Sequence, residues 1–367
     1  MGGGKNFIRV LSLFDGISCG RAALDRAGIP VGAYAAFEID KYAMAISRFN
    51  YPDIRQSGDV LTADFSMFAD FNMVMGGSPC TFWSCAKNNR REIDKSGIGW
   101  LLFSRFADAV KIVRPKWFLY ENVASMPANI KAYISEELGV APILINSALV
   151  SAQQRNRLYW TNIPGVGQPY DRGILLKDIL ESGLPMGAKS YCMTARYGGA
   201  VLQNTLERKQ RSMVFEPVGA ALRTREDSAG KFKRLEIRND GKLNALTTVL
   251  TDSVICTPVK VGEIGNGGQG HRVYSVCGKT ICLSAGGGGG GASTGLYKID
   301  LPDGDYFVRK LTAVEAERCQ TLPDGYTAFG ADSSGNTVKI SDTQRYKCIG
   351  NGWTVDVIAH ILSYIPA

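Results

Sequence analysis

The chain from residue 7 to about 162 alternates short apolar runs with longer stretches whose apolar positions recur at helical spacing. The apolar runs predict strands over residues 7–13, 31–38, 71–75, 117–121, 142–150 and 158–161. The stretches between them predict helices over residues 20–28, 40–49, 99–113 and 128–138. Strands that alternate with helices in this way are typical of a doubly wound, mostly parallel sheet with right-handed crossovers. The predicted fold class is therefore α/β.

The pattern changes in the second half of the chain. From about residue 171 to 310 the sequence is rich in Gly, Thr, Arg and Lys, with short β-like runs and few helical patterns. Residues 286–291 are an unbroken glycine run, which is too flexible for the interior of a strand. Helical patterns return after a capping box at residues 312–315 and after residues 350–352. We therefore predict a sheet-bearing domain of residues 1–175 plus 338–367, and a smaller, irregular β-rich domain of residues 176–337.

Composition and charge narrow the class of protein. The chain has 367 residues, of which 45% are hydrophobic and 21% charged, as is usual for a soluble globular protein. Residues 1–5 lack the apolar core of a signal peptide, and no apolar run approaches the roughly 20 residues of a membrane span. We therefore expect a cytoplasmic protein without a membrane partner. The net charge of +8 is compatible with a polyanionic partner, but many soluble proteins are as basic.

Cysteine and histidine usage argues against a disulfide framework and against a metal site. The 9 cysteines are scattered along the chain, which fits reduced thiols in the cytoplasm. The sequence has no paired CxxC motif, and its 2 histidines, His271 and His360, are far apart. We expect no metal site.

Cys80 stands where a reactive side chain is expected. The predicted strand over residues 71–75 ends at Gly76-Gly77-Ser78-Pro79-Cys80, so Cys80 follows its carboxyl end. Ligands of open α/β sheets bind outside the carboxyl ends of the strands. Cys80 is therefore a candidate nucleophile, although a free cysteine is more often buried and inert.

The loop after the first predicted strand is a candidate cofactor site. Residues 13–20 form a glycine-containing turn between a strand and a helix, where a nucleotide-like cofactor can approach the backbone. The loop is neither a GxGxxG motif nor a P-loop, so phosphate binding is not indicated. Glu38 ends the second strand, where a carboxylate can bond ribose hydroxyls, and Asp59 lies in a later loop. Taken alone, both acids are more often turn or capping residues.

A second chemical group is predicted next to Cys80. Glu121 lies at the carboxyl end of the neighbouring predicted strand, where it can absorb charge that develops on a substrate attacked by a thiolate. Arg155 and Arg157 flank a further strand and suit a phosphate or the orientation of the glutamate. The simpler interpretation is that Glu121 caps a helix and that the two arginines belong to a solvated face.

Together these segments resemble the DNA (cytosine-5) methyltransferase family, of the bacterial or phage restriction–modification type. The motifs follow one another in the family's order and span nearly the whole chain. They are residues 14–20, Gly77-Ser78-Pro79-Cys80, Glu121-Asn122-Val123, and residues 153–157, 309–318 and 350–352. Residues 11–17 are also similar to the animal de novo methyltransferases.

The resemblance implies a mechanism and a cofactor. Cys80 would add as a thiolate to carbon 6 of a cytosine flipped out of duplex DNA. Glu121 would hydrogen-bond or protonate ring nitrogen 3 and bond the amino group, helped by Arg155 and Arg157. Carbon 5 would then take a methyl group from S-adenosylmethionine. The residues implied to contact S-adenosylmethionine are Phe14, Gly16, Ile17, Glu38, Asp59, Pro79, Leu102 and Asn351.

The resemblance also assigns the two domains. The sheet-bearing domain would bind S-adenosylmethionine, with the last helix packed back against it, and the β-rich domain would recognise the target DNA. Gln269 would help to fill the gap left by the flipped base, and Arg272 would contact guanine; without the resemblance, this stretch reads as a hairpin with an incidental arginine. The chain departs from the family at Cys282, where a threonine is usual, and in the glycine run of residues 286–291.

The predicted partners are double-stranded DNA and, in a restriction–modification system, a cognate restriction endonuclease; a monomer is expected. Three other functions compete. They are a catalytically idle DNA-binding paralogue that acts as a regulator, an RNA cytosine-5 methyltransferase of the same fold, and a nicotinamide oxidoreductase. The missing GxGxxG motif disfavours the oxidoreductase, and the extended recognition region disfavours the RNA enzyme.

Overall fold

The structure is a computed structural model, and it describes residues 7–84, 91–201, 204–205, 207–216, 218–227, 230–237, 254–256, 273–275, 296–301 and 304–366. The chain divides into two compact units. The first unit comprises Met1–Ile179, Lys189–Gly198 and Ala313–Ala367, and the second comprises Leu180–Ala188 and Gly199–Thr312. These units differ from the predicted domains chiefly in residues 313–337, which lie in the first unit; the domain boundaries stay a prediction.

A 7-stranded sheet forms the centre of the first unit. Its strands are β1 (Ile8–Leu13), β2 (Val31–Phe37), β3 (Arg55–Gln56), β4 (Met73–Gly76), β5 (Trp117–Val123), β6 (Ile143–Asn146) and β7 (Asn156–Thr161). Their spatial order is β3-β2-β1-β4-β5-β7-β6. All neighbours from β3 to β5 pair in parallel, and β7 pairs antiparallel with both β5 and β6. The predicted α/β class with a mostly parallel sheet is confirmed.

Helices cover the sheet on both faces and enclose two apolar cores. The helices are α1 (Cys19–Arg26), α2 (Lys41–Asn50), α3 (Ile98–Val113), α4 (Ala128–Leu138), α5 (Ala313–Cys319), α6 (Asp342–Asn351) and α7 (Val355–Leu362). The last helix, α7, buries Val355, Ile358 and Leu362 completely and packs against α1. The apolar residues of α7 recur at helical spacing and so form one face. This face packs against α1, although the two helices are far apart in sequence.

The structure adds the short strands β3 (Arg55–Gln56), β16 (Phe329–Ala331) and β17 (Thr337–Lys339) to the predicted ones, and it differs from the prediction at one helix and one strand end. The pattern does not predict α6, because few of its positions are apolar and it ends in Gly350-Asn351, which are weak helix formers. The strand predicted over residues 142–150 ends at Asn146, whose side chain accepts a hydrogen bond from the backbone N of Ala148 at 3.0 Å. This cap converts the rest of the apolar run into a short 3₁₀ turn, Ser147–Leu149.

The second unit is built from short strands, as its β-rich pattern predicts. They are β8 (Leu184–Pro185), β9 (Met213–Glu216), β10 (Val218–Asp227), β11 (Gly230–Ile237), β12 (Val254–Cys256), β13 (Val273–Ser275), β14 (Leu296–Leu301) and β15 (Gly304–Lys310). One sheet has the order β11-β10-β12 and the other the order β13-β14-β15-β9-β8. A further antiparallel hairpin, β16 (Phe329–Ala331) with β17 (Thr337–Lys339), belongs to the first unit.

The described residues contain neither a membrane-spanning helix nor a cluster of metal-binding side chains. None of the helices in that part of the chain has the length and hydropathy needed to span a membrane. Within the same residues, no group of three or more His, Cys, Asp or Glu side chains could hold a metal ion.

Candidate active site

A cleft of about 320 Å³ opens in the first unit where β1, β2, β4 and β5 end. It lies at the carboxyl edge of the parallel strands, which is where open α/β sheets bind ligands. All the predicted catalytic and cofactor-binding residues line this cleft: Phe14, Gly16, Ile17, Glu38, Asp59, Pro79, Cys80, Leu102, Glu121, Arg155, Arg157 and Asn351. The predicted DNA-contacting residues Gln269 and Arg272 lie outside the described residues.

The loop between β1 and α1 forms one wall of the cleft. Phe14, Gly16 and Ser18 all adopt left-handed backbone conformations, with φ between 57° and 62°. Only the glycine does so without steric cost, so the other two must be held by their surroundings. The half-buried carboxylate of Asp15 holds Ser18, because it accepts hydrogen bonds from the hydroxyls of Ser18 at 2.5 Å and Tyr34 at 2.7 Å. Burial raises the pKa of Asp15, and these hydroxyl donors partly offset the rise.

Glu38 closes this loop against the end of β2. Its Oε2 accepts a hydrogen bond from the backbone N of Gly16, and its Oε1 accepts from the backbone N of Ile39 and of Asp40, each at 2.8 Å. A carboxylate offers about four lone-pair sites. Glu38 therefore shapes the turn and still has acceptor capacity for a ligand hydroxyl.

Asp59 also combines a structural contact with a position in the cleft. Its Oδ1 accepts a hydrogen bond from the backbone N of Leu61 at 2.9 Å and so caps the 3₁₀ turn Val60–Thr62. The capping interpretation of this residue is confirmed. It does not conflict with ligand binding, since Asp59 lines the cleft as well.

Cys80 begins a short 3₁₀ turn, Cys80–Phe82, beyond the end of β4. Two side chains of β5 hold the residues before it: Tyr120 Oη lies 2.6 Å from Ser78 Oγ, and Asn122 Nδ2 donates to the carbonyl of Ser78 at 3.1 Å. Cys80 is partly exposed in the cleft. Burial raises the pKa of the Cys80 thiol, while the positive charge of Arg157 lowers it. Arg157 therefore favours the thiolate, which is the nucleophilic form.

Glu121 lies on β5 beside β4 and is only 8% exposed. Its Oε1 is 2.9 Å from Nε of Arg157, and its Oε2 accepts a hydrogen bond from the indole Nε1 of Trp353 at 3.0 Å. The antiparallel register of β5 and β7 places Arg157 opposite Val123, two residues from Glu121 on the same strand. Gly77 leaves room for this carboxylate, because a Cβ there would lie 2.9 Å from Glu121 Oε2.

Arg155 has different partners from Arg157. It is 4% exposed, and its guanidinium donates to the backbone carbonyl of Met193 at 2.8 Å and to that of Gly352 at 2.9 Å. The sequence predicted that both arginines help Glu121, but Arg157 is the one that contacts it. Arg155 precedes β7, and its guanidinium points towards residues 193 and 350–352. It therefore holds two segments of backbone together and does not contact Glu121.

Sequence reasoning missed two side chains of the site. Trp353 directly follows the motif Gly350-Asn351-Gly352, which was the one available signal for it. Cys192 gave no such signal, yet its Sγ lies 3.3 Å from Arg155 Nη1 and 3.9 Å from Arg157 Nη2. Burial opposes ionisation of Cys192, but the two guanidinium groups outweigh it and lower the pKa of its thiol.

The arrangement suits addition of a nucleophile to an electron-poor ring. A thiol and a carboxylate leave adjacent strands of one sheet, with an arginine next to both. The other wall offers a glycine-containing turn and two carboxylates, which suit a nucleoside-like cofactor with ribose hydroxyls. A reacting ring and a cofactor can therefore share one cleft.

Comparisons with known proteins agree with this chemistry. Residues 8–163 match the family model of the C-5 cytosine-specific DNA methylases. The type II methyltransferase M.HhaI from Haemophilus parahaemolyticus is 27% identical over 354 residues, which are 96% of this chain and 93% of that protein. The orphan methyltransferase M.Rho11sI of Bacillus phage rho11s is 27% identical over 323 residues, 80% of this chain and 61% of that protein.

Solved structures show the same fold. A DNMT2 mutant from Spodoptera frugiperda aligns over 98% of this chain and 99% of its own, with a TM-score of 0.53 and 14% identity. The methyltransferase EhMeth from Entamoeba histolytica aligns over 98% of both chains, with the same TM-score and identity. At this identity the likeness concerns the fold alone.

Proposed function

We propose that the chain transfers a methyl group from S-adenosylmethionine to carbon 5 of a cytosine flipped out of duplex DNA, as its match to the C-5 cytosine-specific DNA methylases over residues 8–163 supports. One observation carries the proposal. Cys80 and the ion pair of Glu121 with Arg157 lie in one cleft, at the ends of adjacent strands. A nucleophile and a charged hydrogen-bonding group are what addition to a pyrimidine requires.

Cys80 would act first. Its thiolate forms a bond from Sγ to carbon 6 of the cytosine, and the electrons of the carbon 5–carbon 6 double bond make carbon 5 nucleophilic. Arg157 supports this step, because its positive charge favours the thiolate. Release requires loss of the proton on carbon 5 and cleavage of the bond to Sγ, which restores the double bond and frees Cys80.

Glu121 would hold the reacting ring. In the proposed complex the protonated form of Glu121 donates a hydrogen bond to ring nitrogen 3 and accepts one from the exocyclic amino group, and so stabilises the negative charge that builds up on the ring when Sγ adds. Arg157 fixes one of its oxygens, at 2.9 Å. In the same scheme Arg155 contributes by holding residues 350–352 rather than by touching the ring.

The residues of the first wall fit S-adenosylmethionine. The turn at Phe14–Ser18, with three left-handed residues, lines the cleft, and Glu38 and Asp59 offer carboxylates to hydroxyls. We propose that these residues, with Ile17, Pro79, Leu102 and Asn351, hold the cofactor. When bound, it supplies an electrophilic methyl group to carbon 5.

Duplex DNA as the substrate is supported by the match of residues 8–163 to the model of the C-5 cytosine-specific DNA methylases. The net charge of +8 is compatible with a polyanion such as the phosphate backbone.

We extend the proposal to the second unit as the region that recognises the target, with Gln269 and Arg272 as predicted contacts outside the described residues. One curated relative is called an orphan methyltransferase and another a type II methyltransferase. Whether this chain works with a restriction endonuclease is therefore an open part of the proposal. The monomeric state and the cytoplasmic location also stay predictions.

The test is incubation of the protein with labelled S-adenosylmethionine and either duplex DNA or tRNA, followed by nucleoside analysis. We expect labelled 5-methylcytosine in DNA, and none with Cys80→Ser. Transfer to tRNA alone would contradict the DNA substrate and favour the RNA alternative. A 5-fluorocytosine duplex that forms no covalent adduct would support the idle, DNA-binding paralogue.

A further inference from the structure

The carboxylate of Glu121 is held from both sides. Arg157 Nε lies 2.9 Å from Oε1, and Trp353 Nε1 donates to Oε2 at 3.0 Å. An indole N–H and a guanidinium are donors only, so each contact requires an acceptor oxygen at that place. Each carboxylate oxygen keeps a second lone pair for another partner. The plane of the carboxylate is therefore set before any substrate arrives.

The backbone that carries Trp353 is itself fixed on both sides. The carbonyl of Gly352 accepts hydrogen bonds from Arg155 Nη2 at 2.9 Å and from Gln320 Nε2 at 3.1 Å. The hydroxyl of Thr354 donates to Gln320 Oε1 at 2.8 Å. Trp353 thus projects from a short segment with buried anchors before and after it, so the indole has little freedom to leave Glu121.

The end of β4 is shaped to admit this indole. A Cβ on Gly77 would lie 3.2 Å from Trp353 Nε1 and 2.9 Å from Glu121 Oε2. A side chain at position 77 would therefore crowd the hydrogen bond itself. Gly77, Glu121 and Trp353 therefore pack closely against one another.

We propose that Trp353 is a positioning residue for methyl transfer: its indole N–H fixes the orientation of the Glu121 carboxylate, and Arg155 acts on Glu121 through Gly352 and Trp353. The inference rests on the proposed function, because it concerns the acid of that reaction. It gives the two arginines complementary tasks. Arg157 holds one oxygen of Glu121 directly, and Arg155 holds the segment that supplies the donor to the other.

The first test is Trp353→Phe, which removes the N–H and keeps an apolar ring. Loss of a hydrogen bond to a charged group should lower kcat about tenfold, with little change in KM for S-adenosylmethionine or for DNA. Trp117→Phe is the matched control, since Trp117 begins the strand that carries Glu121 and lies at its opposite end. Wild-type kcat in Trp353→Phe, or an equal loss in Trp117→Phe, would overturn the proposal.

A double-mutant cycle separates positioning from general packing. The rate of adduct formation with a 5-fluorocytosine duplex is measured for wild type, Trp353→Phe, Glu121→Gln and the double variant. If Trp353 acts through Glu121, its substitution costs little once Glu121 has been replaced. The same fold-loss in both backgrounds would mean a merely structural role and would refute the inference.

An NMR measurement needs no activity. The chain has 5 tryptophans, so their indole N–H signals can be assigned from single Phe variants of the other four. Glu121→Gln should move the Trp353 indole signal and leave that of Trp117 in place. A Trp353 signal unmoved by Glu121→Gln would refute the contact even if Trp353→Phe failed to fold. Absence of 5-methylcytosine with wild type would refute the proposed function and leave this measurement intact.

Discussion

The two halves of the cleft are held together in different ways. In the cofactor half, made of Phe14–Ser18, Glu38 and Asp59, Asp15 contacts residues 3 positions away and Gly16 bonds Glu38 at a separation of 22. In the reaction half, made of Cys80, Glu121, Arg155, Arg157 and Trp353, Glu121 bonds a residue 232 positions away and Arg155 one 197 positions away. Most hydrogen bonds of the cofactor half are thus local, apart from the one that Tyr326 Oη donates to the carbonyl of Ile17 across 309 positions, whereas the bonds that orient Glu121 and Arg155 come largely from distant segments of the first unit.

Because of this difference, we expect substitutions to impair cofactor binding and the chemical step separately. A change in a local loop should weaken cofactor binding and leave the chemistry intact once the cofactor is saturating. A change in the reaction half should stop the chemistry while the cofactor still binds, unless it also removes a long-range anchor. The predictions below test this separation.

The largest effect is expected from Cys80→Ser. Replacing the sulfur of the nucleophile should reduce methyl transfer to the detection limit, because an alcohol is a far weaker nucleophile than a thiolate at neutral pH. Binding of S-adenosylmethionine, measured by calorimetry, should remain as in the wild type. Cys348→Ser is the control, since Cys348 also lines the cleft but lies on α6. Loss of cofactor binding in Cys80→Ser would contradict the expectation that the two halves of the cleft act independently.

The two arginines should give contrasting losses. Arg157→Met removes the charge beside Glu121 and should lower kcat about a hundredfold. Because Glu121 keeps the indole donor and lines the open cleft, the loss of unfolding free energy should be smaller than for Arg155→Met. Arg155→Met removes a buried guanidinium that donates to the carbonyls of Met193 and Gly352, and should reduce the free energy of unfolding by about 3 kcal/mol. Denaturant melts and steady-state kinetics distinguish the two. Equal destabilisation by both variants would show that the structural division between them is wrong.

A smaller effect is expected in the cofactor half from Glu38→Gln. The amide keeps the shape of the side chain but replaces one acceptor oxygen by a donor. That donor would face one of the three backbone N–H groups whose hydrogen bonds Glu38 accepts. Affinity for S-adenosylmethionine should fall about tenfold, and kcat at saturating cofactor should stay the same. Glu136→Gln on the exposed side of α4 removes the same charge as a control. A fall in kcat without a change in affinity would contradict the assignment of Glu38 to the cofactor half.

The smallest effect concerns the two thiols near the arginines. The pKa of Cys80 is raised by burial, whereas the pKa of Cys192 is lowered by Arg155 and Arg157 against its burial. Since the thiolate is the reactive form, Cys192 should react with iodoacetamide faster at neutral pH, and the rate at Cys80 should rise as the pH increases. Mass spectrometry of the labelled peptides measures both rates. Faster labelling of Cys80 at neutral pH would reverse the predicted order.

The sequence predicted the sheet well, and the residues that the resemblance assigns to the cofactor do line one cleft; their binding of S-adenosylmethionine stays a prediction. Apolar runs mark the strands, and the carboxyl-end rule places Glu38, Cys80 and Glu121 at one edge. It could not assign Arg155 and Arg157 to different partners, since two arginines at a spacing of two look alike in sequence. Nor could it find Cys192 or the role of Trp353, because their contacts arise only when distant segments meet in the folded unit.

The hydrogen bond between Trp353 and Glu121 also sets an order in time. A ribosome adds Trp353 232 residues after Glu121, and Cys80 is made earlier still. A growing chain therefore carries both the nucleophile and its acid long before the second donor to that acid exists. On the proposed mechanism, a nascent chain of this protein therefore has an incomplete reaction half until residues 350–353 have been added and folded into place.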